Sequence, residues 1–380
     1  MLILGWSVAY ALDLPAAVLR AGEVDPQVVI AELQRRAEGA AVAASWSALL
    51  PTPTWSTDIP LSEAPRTTSI NVSLPLFAPV DWLTISERHA GLRTAGHRAE
   101  ATRIDTEYAA AVLYYSALAA DEAVAVASES LALAEASFAA ARARREAGLD
   151  NELALKASEL GVVNARADSF SARAAAKNAI ARLERALQQE VDSLSPAAPP
   201  VVPELGGRSP WIDAAEARAE QYKRAYYADL GAMLPTAELD ARPSLSVAGS
   251  NAWALTVQAS WTLDGVLGPW LEVRQSYFTA RIAEVERDAV DDDVTLGLRV
   301  AQEDVRAARE LVEVARARES LLEAAFGVGR ARQVAGLEST LEVLRIQDDV
   351  ARARLDRVNA ELYETVLILE LRRLSGLSPA

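Results

Sequence analysis

The residues able to do chemistry in this 380-residue chain are few, and their spacing does not fit chemistry. His89 and His97 stand eight apart in a helical pattern, whereas two metal-binding histidines on a helix sit at i and i+4. Asp291-Asp292-Asp293 lacks the alternation of a calcium loop and reads as a solvated helix face. Gly327-Val328-Gly329 has no Gly-Lys-Ser/Thr after it and no strand before it, so it reads as a local kink rather than a phosphate cradle. No nucleophile, base and acid come together in the pattern, so no enzyme, cofactor or metal is expected. A net charge of −15 argues against nucleic acid, which rewards clustered Lys and Arg. The lack of cysteine excludes disulfides, thiolate metal sites and lipid attachment at an N-terminal cysteine, and fits an oxidising compartment. No 18 consecutive apolar residues occur, which argues against a transmembrane helix.

The organising feature is instead a repeat. Shifted by 188 positions, Trp82-Leu83 falls on Trp270-Leu271, and Leu133, Glu135, Ala136 and Phe138 fall on Leu321, Glu323, Ala324 and Phe326. Arg142 and Arg144 fall on Arg330 and Arg332, Ala147-Gly148-Leu149-Asp150 on Ala335-Gly336-Leu337-Glu338, and Ala165-Arg166 on Ala353-Arg354. An ungapped match of this length is one structural unit used twice. Between Trp270 and Gly336 there is no proline, and Ala301, Val305, Ala308, Val312, Ala315 and Leu322 form a heptad seam interrupted by Glu319. At about 1.5 Å per residue, helix from Trp82 to Gly148 would span roughly 100 Å, too long for an ordinary core. Each repeat therefore holds a long helix, a turn at its glycine and a returning helix. A helix of this length needs partners along all of it.

Residues 13 to about 50 read as helix, ended by Leu50-Pro51-Thr52. A helix from about Trp211 ends in the same way at Leu234-Pro235-Thr236. Strand-like segments follow. Ile70, Val72, Leu74 and Leu76 alternate with polar residues, and so do Trp253, Leu255, Val257, Ala259, Trp261 and Leu263. Segments near 53–61 and 236–247 are weaker strands. The alternation fits either a small amphipathic sheet packed on helices or membrane strands that turn Trp253, Leu255, Val257 and Trp261 toward lipid. Four strands cannot close a barrel and an open edge is not tolerated in lipid, so the membrane reading obliges the chain to oligomerise. Residues 1–11, apolar and ending in Ala9-Tyr10-Ala11, are expected to be a partial signal peptide without its basic region. The expected organisation is a first repeat at 12–193, a Pro/Gly-rich linker at 194–210 lying outside the helical layer, and a second repeat at 211–380.

Taken together, the order of elements resembles the TolC-like outer membrane efflux proteins. The most specific local match is Gly336 through Gln347 (GLESTLEVLRIQ), joined by Leu76-Phe77, which is similar to the family's strand-ending signature. The resemblance implies a mainly α fold with a membrane β-barrel part. Duplicated helical hairpins would form an α-helical tunnel, and four strands per protomer would contribute to a 12-stranded barrel in a homotrimer. It also implies an outer membrane channel extending into the periplasm, the exit duct of a tripartite efflux pump or type I secretion system. Its partners would be outer membrane lipid, a periplasmic adaptor and an inner-membrane pump. By that resemblance Glu342 would ring the periplasmic aperture and attract cations. Arg345, three residues on, could pair with it and weaken the field. The repeat equivalents are Ala154 and Ala157. The turns at Gly148 and Gly336 would receive the adaptor. The rival expectation is a periplasmic coiled-coil scaffold with a small sheet; an adaptor, with its single hairpin and lipoyl-like modules, fits less well.

Overall fold

A computed structural model describes residues 11–58, 67–148, 151–203, 208–245, 251–261 and 267–379. All but one residue of the expected signal peptide therefore lie outside the described residues. The helices are α1 (Leu14–Val24), α2 (Pro26–Ser45), α3 (Pro79–Glu146), α4 (Glu152–Leu187), α5 (Pro210–Gly231), α6 (Leu267–Val334) and α7 (Thr340–Leu374). The strands are β1 (Thr52–Asp58), β2 (Thr67–Phe77), β3 (Thr236–Leu245) and β4 (Asn251–Ser260).

The duplication sets these bounds. α3 and α6 each have 68 residues, and both their first and their last residues are 188 apart. Each long helix stops two residues before a glycine in the left-handed region, Gly148 at φ 73° and Gly336 at φ 74°, a conformation that favours glycine. The Leu337 N–H then donates to the Arg332 carbonyl at 2.8 Å, which closes the helix end. The returning helices are capped at once. Asn151 accepts the Ala154 N–H at 2.9 Å, and Ser339 accepts the Glu342 N–H at 3.2 Å. The two repeats differ after the sheet: Ala78 alone separates β2 from α3, whereas residues 261–266 separate β4 from α6.

Compactness cuts across the repeats. One unit comprises residues 1–28, 103–207 and 295–380; the other comprises 29–102 and 208–294. In the first unit, Tyr114, Leu183, Leu187 and Ala17 form one buried cluster, and Ala301, Val305, Ile368 and Leu371 another. The Tyr114 hydroxyl donates to the carbonyls of Leu12 (2.8 Å) and Ser195 (2.7 Å), and the Tyr115 hydroxyl donates to that of Ala198 (2.7 Å). Leu194 and Ala197 pack on the first cluster, so the linker is tied down to the helices. In the second unit α5 approaches α3 closely. A Cβ on Gly231 would lie 2.6 Å from Leu83, and Arg224 donates to the Ser86 hydroxyl at 2.7 Å.

Two expectations need correction. The helix expected from 13 to 50 breaks at Asp25, which is extended (ψ 126°) because the following Pro26 excludes it from helical geometry. One window of α3 reaches mean hydropathy 1.3, so by length and composition α3 could cross a membrane. Packing within the chain buries Ala110, Ala111, Tyr114, Tyr115 and Ala117 of this helix.

Candidate functional sites: the sheet and the hairpin turns

The strands form one antiparallel sheet in the order β1-β2-β3-β4, leaving β1 and β4 as edges among the described residues. Its register sorts the side chains by face. Trp55 opposes Ile70, Leu74 opposes Leu239, Leu239 opposes Val257, and Ala241 opposes Leu255. On this face Trp55 is 78% exposed, Leu255 69% and Val257 63%, so among the described residues nothing covers these side chains. The other face is polar, with Thr54 opposite Asn71, Ser73 opposite Asp240 and Glu238 opposite Gln258. There Asn71 donates to Asp240 at 3.2 Å and receives from Arg242 at 3.3 Å. Trp253 pairs with Pro243 in the register, and its side chain lies outside the described residues. Trp261 falls one residue beyond β4, and its indole N–H donates to the Met233 carbonyl at 3.2 Å. The alternation expected to reach Leu263 therefore ends as strand at Ser260. Apolar residues exposed on one face and polar ones on the other suit a wall between lipid and water.

At the other sites the two hairpins meet. Arg144 donates to the Gln333 carbonyl at 3.0 Å, the Gln333 amide donates to the Thr340 hydroxyl at 3.1 Å, and the Ser137 hydroxyl donates to Gln347 at 3.0 Å. Leu133, Phe326, Val343 and Leu344 line a cavity of about 80 Å³ beside these bonds. Glu342 and Arg345 are both exposed on the first turns of α7. Among the described residues no ion pair involves either of them, so the pairing considered from sequence does not form. The helix N-terminus accounts for the position of Glu342 in the chain: Ser339-Thr340-Leu341-Glu342 has the capping-box pattern. The Ala154 equivalent in α4 is buried.

Sequence reasoning missed the polar centre of the wall. Arg357 donates to Glu319 (2.7 Å), Glu361 (2.8 Å) and, on α3, Glu122 (2.7 Å). Arg354 pairs with Glu323 (2.7 Å), Glu319 (3.7 Å) and, on α3, Glu129 (2.8 Å). The residue that interrupts the α6 seam is thus held by two arginines of α7. One signal was available: Glu135–Arg166, 3.3 Å apart, and Glu323–Arg354 are the same pair in the two repeats. Among the described residues, no group of three or more His, Cys, Asp or Glu is placed to hold a metal ion.

Residues 203–377 match the sequence model of the outer membrane efflux protein family. No curated protein gave a significant match. Among solved structures, the chain is similar to the Campylobacter jejuni CmeC outer membrane channel (TM-score 0.80, 15% identity, 96% of this chain and 85% of that one). It is also similar to the outer membrane protein VceC of Vibrio cholerae (TM-score 0.81, 14% identity, 97% of each chain). A third similar structure is the open state of the Neisseria gonorrhoeae MtrE outer membrane channel (TM-score 0.80, 17% identity, 96% and 89%).

Proposed function

We propose that this chain, whose residues 203–377 match the outer membrane efflux protein family model, is a member of that family, the exit duct of a tripartite assembly, and works as a homotrimer. In this reading it sits in the outer membrane, with a helical tunnel in the periplasm. In the proposed assembly an inner-membrane pump and a periplasmic adaptor feed the duct, and small molecules or proteins leave through it. The observation that carries the reading is the sheet. Its apolar face is bare, its opposite face is polar, and its edges β1 and β4 are free. An uncovered edge in hydrocarbon leaves backbone groups without partners, so β4 of one copy must pair with β1 of the next until a barrel closes. Three copies supply twelve strands, within the range of membrane barrels. Trp253, Leu255 and Val257 are assigned to the lipid side and Trp261 to its margin.

At the far end of the hairpins, the turns at Gly148 and Gly336 are proposed to receive the adaptor. Glu342 is proposed to line the aperture. It is exposed, free of Arg345 and present in only one of the two repeats, so three copies would set one ring of carboxylates. The test is light scattering on detergent-extracted protein, followed by conductance in planar bilayers. A particle of three chains that conducts ions supports the reading. A detergent-free monomer or dimer without conductance leaves the coiled-coil scaffold. In the same recordings Glu342→Ala lowers cation preference, and unchanged selectivity would remove Glu342 from the aperture.

A further inference from the structure

Arg242 of β3 is the only lysine or arginine in the four strands, and the register puts it on the polar face. It is exposed, whereas Asp240, two residues earlier on the same face, is 7% exposed. The two do not pair. Asn71 of β2 stands between them: its side-chain oxygen accepts the Arg242 Nε–H at 3.3 Å, and its amide donates to the Asp240 carboxylate at 3.2 Å. One neighbour can only donate and the other can only accept, so together they fix the orientation of the Asn71 amide. Among the described residues the two terminal amino groups of Arg242 have no partner. They form the edge of the guanidinium that grips a carboxylate, sulfonate or phosphate.

Position along the strand adds direction. β3 begins at Thr236, shortly after α5, and β4 ends at Ser260, its partner in the register. That edge of the sheet therefore lies toward the helices. Arg242 is six residues further, roughly 20 Å along the strand, with Glu238 and Asp240 on the helix side of it. Matching Leu50-Pro51-Thr52 to Leu234-Pro235-Thr236 makes β1 the repeat equivalent of β3, and β1 has no basic residue. The cation therefore occurs once per copy.

We infer that Arg242, positioned by Asn71, sets the ion preference of the barrel lumen, where three copies form a guanidinium ring that gives anionic substrates a counter-charge on an otherwise acidic path. The inference deepens the exit-duct reading and rests on it. A guanidinium placed only to neutralise Asp240 would bond to it directly. Here Asn71 holds the cation off the carboxylate and leaves its binding edge open. Twelve strands about 4.8 Å apart and tilted about 40° close at a radius of about 12 Å. An inward-reaching arginine then stands within about one Debye length of the axis, about 8 Å at physiological salt. At that distance in water, three such charges shift the ratio of cation to anion permeation by roughly three- to seven-fold. The ring lies at the opposite end of the duct from Glu342 and works against it, because it favours anions.

The test is the reversal potential of the detergent-extracted protein in planar bilayers under a potassium chloride gradient. Arg242→Gln is expected to raise the preference for potassium over chloride roughly three- to seven-fold. Arg242→Lys keeps the charge and should stay near the parent. Asn71→Ala should move the preference in the same direction as Arg242→Gln, since the guanidinium is then free to fall onto Asp240. The chain has no cysteine, so Arg242→Cys supplies a single thiol. Modified from the outer chamber, it should return toward the parental potential with a cationic methanethiosulfonate and move further toward potassium with an anionic one. This pair of reagents compares the charges within one assembled variant, whatever the fate of the others. If the parent conducts but the thiol is not modified, or the two reagents act alike, the inference falls and the duct stands. If the parent does not conduct, the exit-duct reading fails first, and the ring with it.

Discussion

Arg357→Ser separates structural from incidental charge in the helical wall. Serine is the residue at the repeat equivalent, position 169, so the substitution is already accommodated once in this chain. It removes three partners at once. Glu122 and Glu361, with side chains 45% and 29% exposed, can take up water. Glu319, 16% exposed, keeps only Arg354 at 3.7 Å. Stranding a fully buried charge costs about 3–5 kcal/mol. With Arg354 still in place, about 2–3 kcal/mol is expected, roughly a 30- to 150-fold shift of the unfolding equilibrium. Adding Glu319→Leu restores the apolar seam residue of the other repeat, Leu131, and should recover the stability to within about 1 kcal/mol of the parent. The assay is urea unfolding in detergent, followed by helical circular dichroism at low and high salt. If the double variant is as unstable as the single one, the deficit does not arise from a stranded Glu319 and the reasoning fails.

Three further outcomes are expected. Val257→Lys on the bare face of β4 should prevent membrane assembly, at about 2–4 kcal/mol per chain near the midplane, while Thr256→Lys on the opposite face is tolerated; heat-modifiable mobility of membrane extracts checks both. Gly336→Ala places a side chain at φ 74° with nothing within 4 Å of its Cβ, so its cost is conformational alone, about 1–2 kcal/mol in thermal unfolding. Burial, the Glu370 carboxylate and a hydrogen bond to it push the Tyr108 phenol up to about 12, with Arg373 opposing. Below pH 10 the phenol is neutral in both native and unfolded chains; between pH 10 and 12 the unfolded chain sheds its proton first. Stability should therefore fall by about 1–2 kcal/mol across that window in the parent and stay level in Tyr108→Phe, as read by alkaline unfolding curves.

The long helices were legible because two signals agreed: a heptad seam from Ala301 to Leu322 and an ungapped match to the other half. The alternation of β4 was legible for the same reason, as period two over a dozen residues has no helical reading. Its end at Ser260 was not, since Trp261 continues the pattern, and its indole N–H meets the carbonyl of Met233, distant in sequence. The break at Asp25 was marked by Pro26 and overlooked inside an otherwise helical run. The role of Glu319 could not be read locally: a charge in a seam is a defect until its partners, 35 and 38 residues along the chain at Arg354 and Arg357, are brought beside it. Glu342 and Arg345 show the opposite limit. Their i, i+3 spacing permits an ion pair, and the exposed side chains do not make one.

The equal length of α3 and α6 limits how this chain can change over evolutionary time. Inserting one residue into either helix turns everything beyond it by about 100°. That carries Val126 or Val314 off its stripe and lifts one glycine turn out of step with the other. Seven residues inserted at matching points of both helices, with matching additions to α4 and α7, would keep every stripe in place. Variation in the length of such walls should therefore come in paired blocks, and a lone insertion should be confined to stretches such as 261–266, where the two repeats already differ.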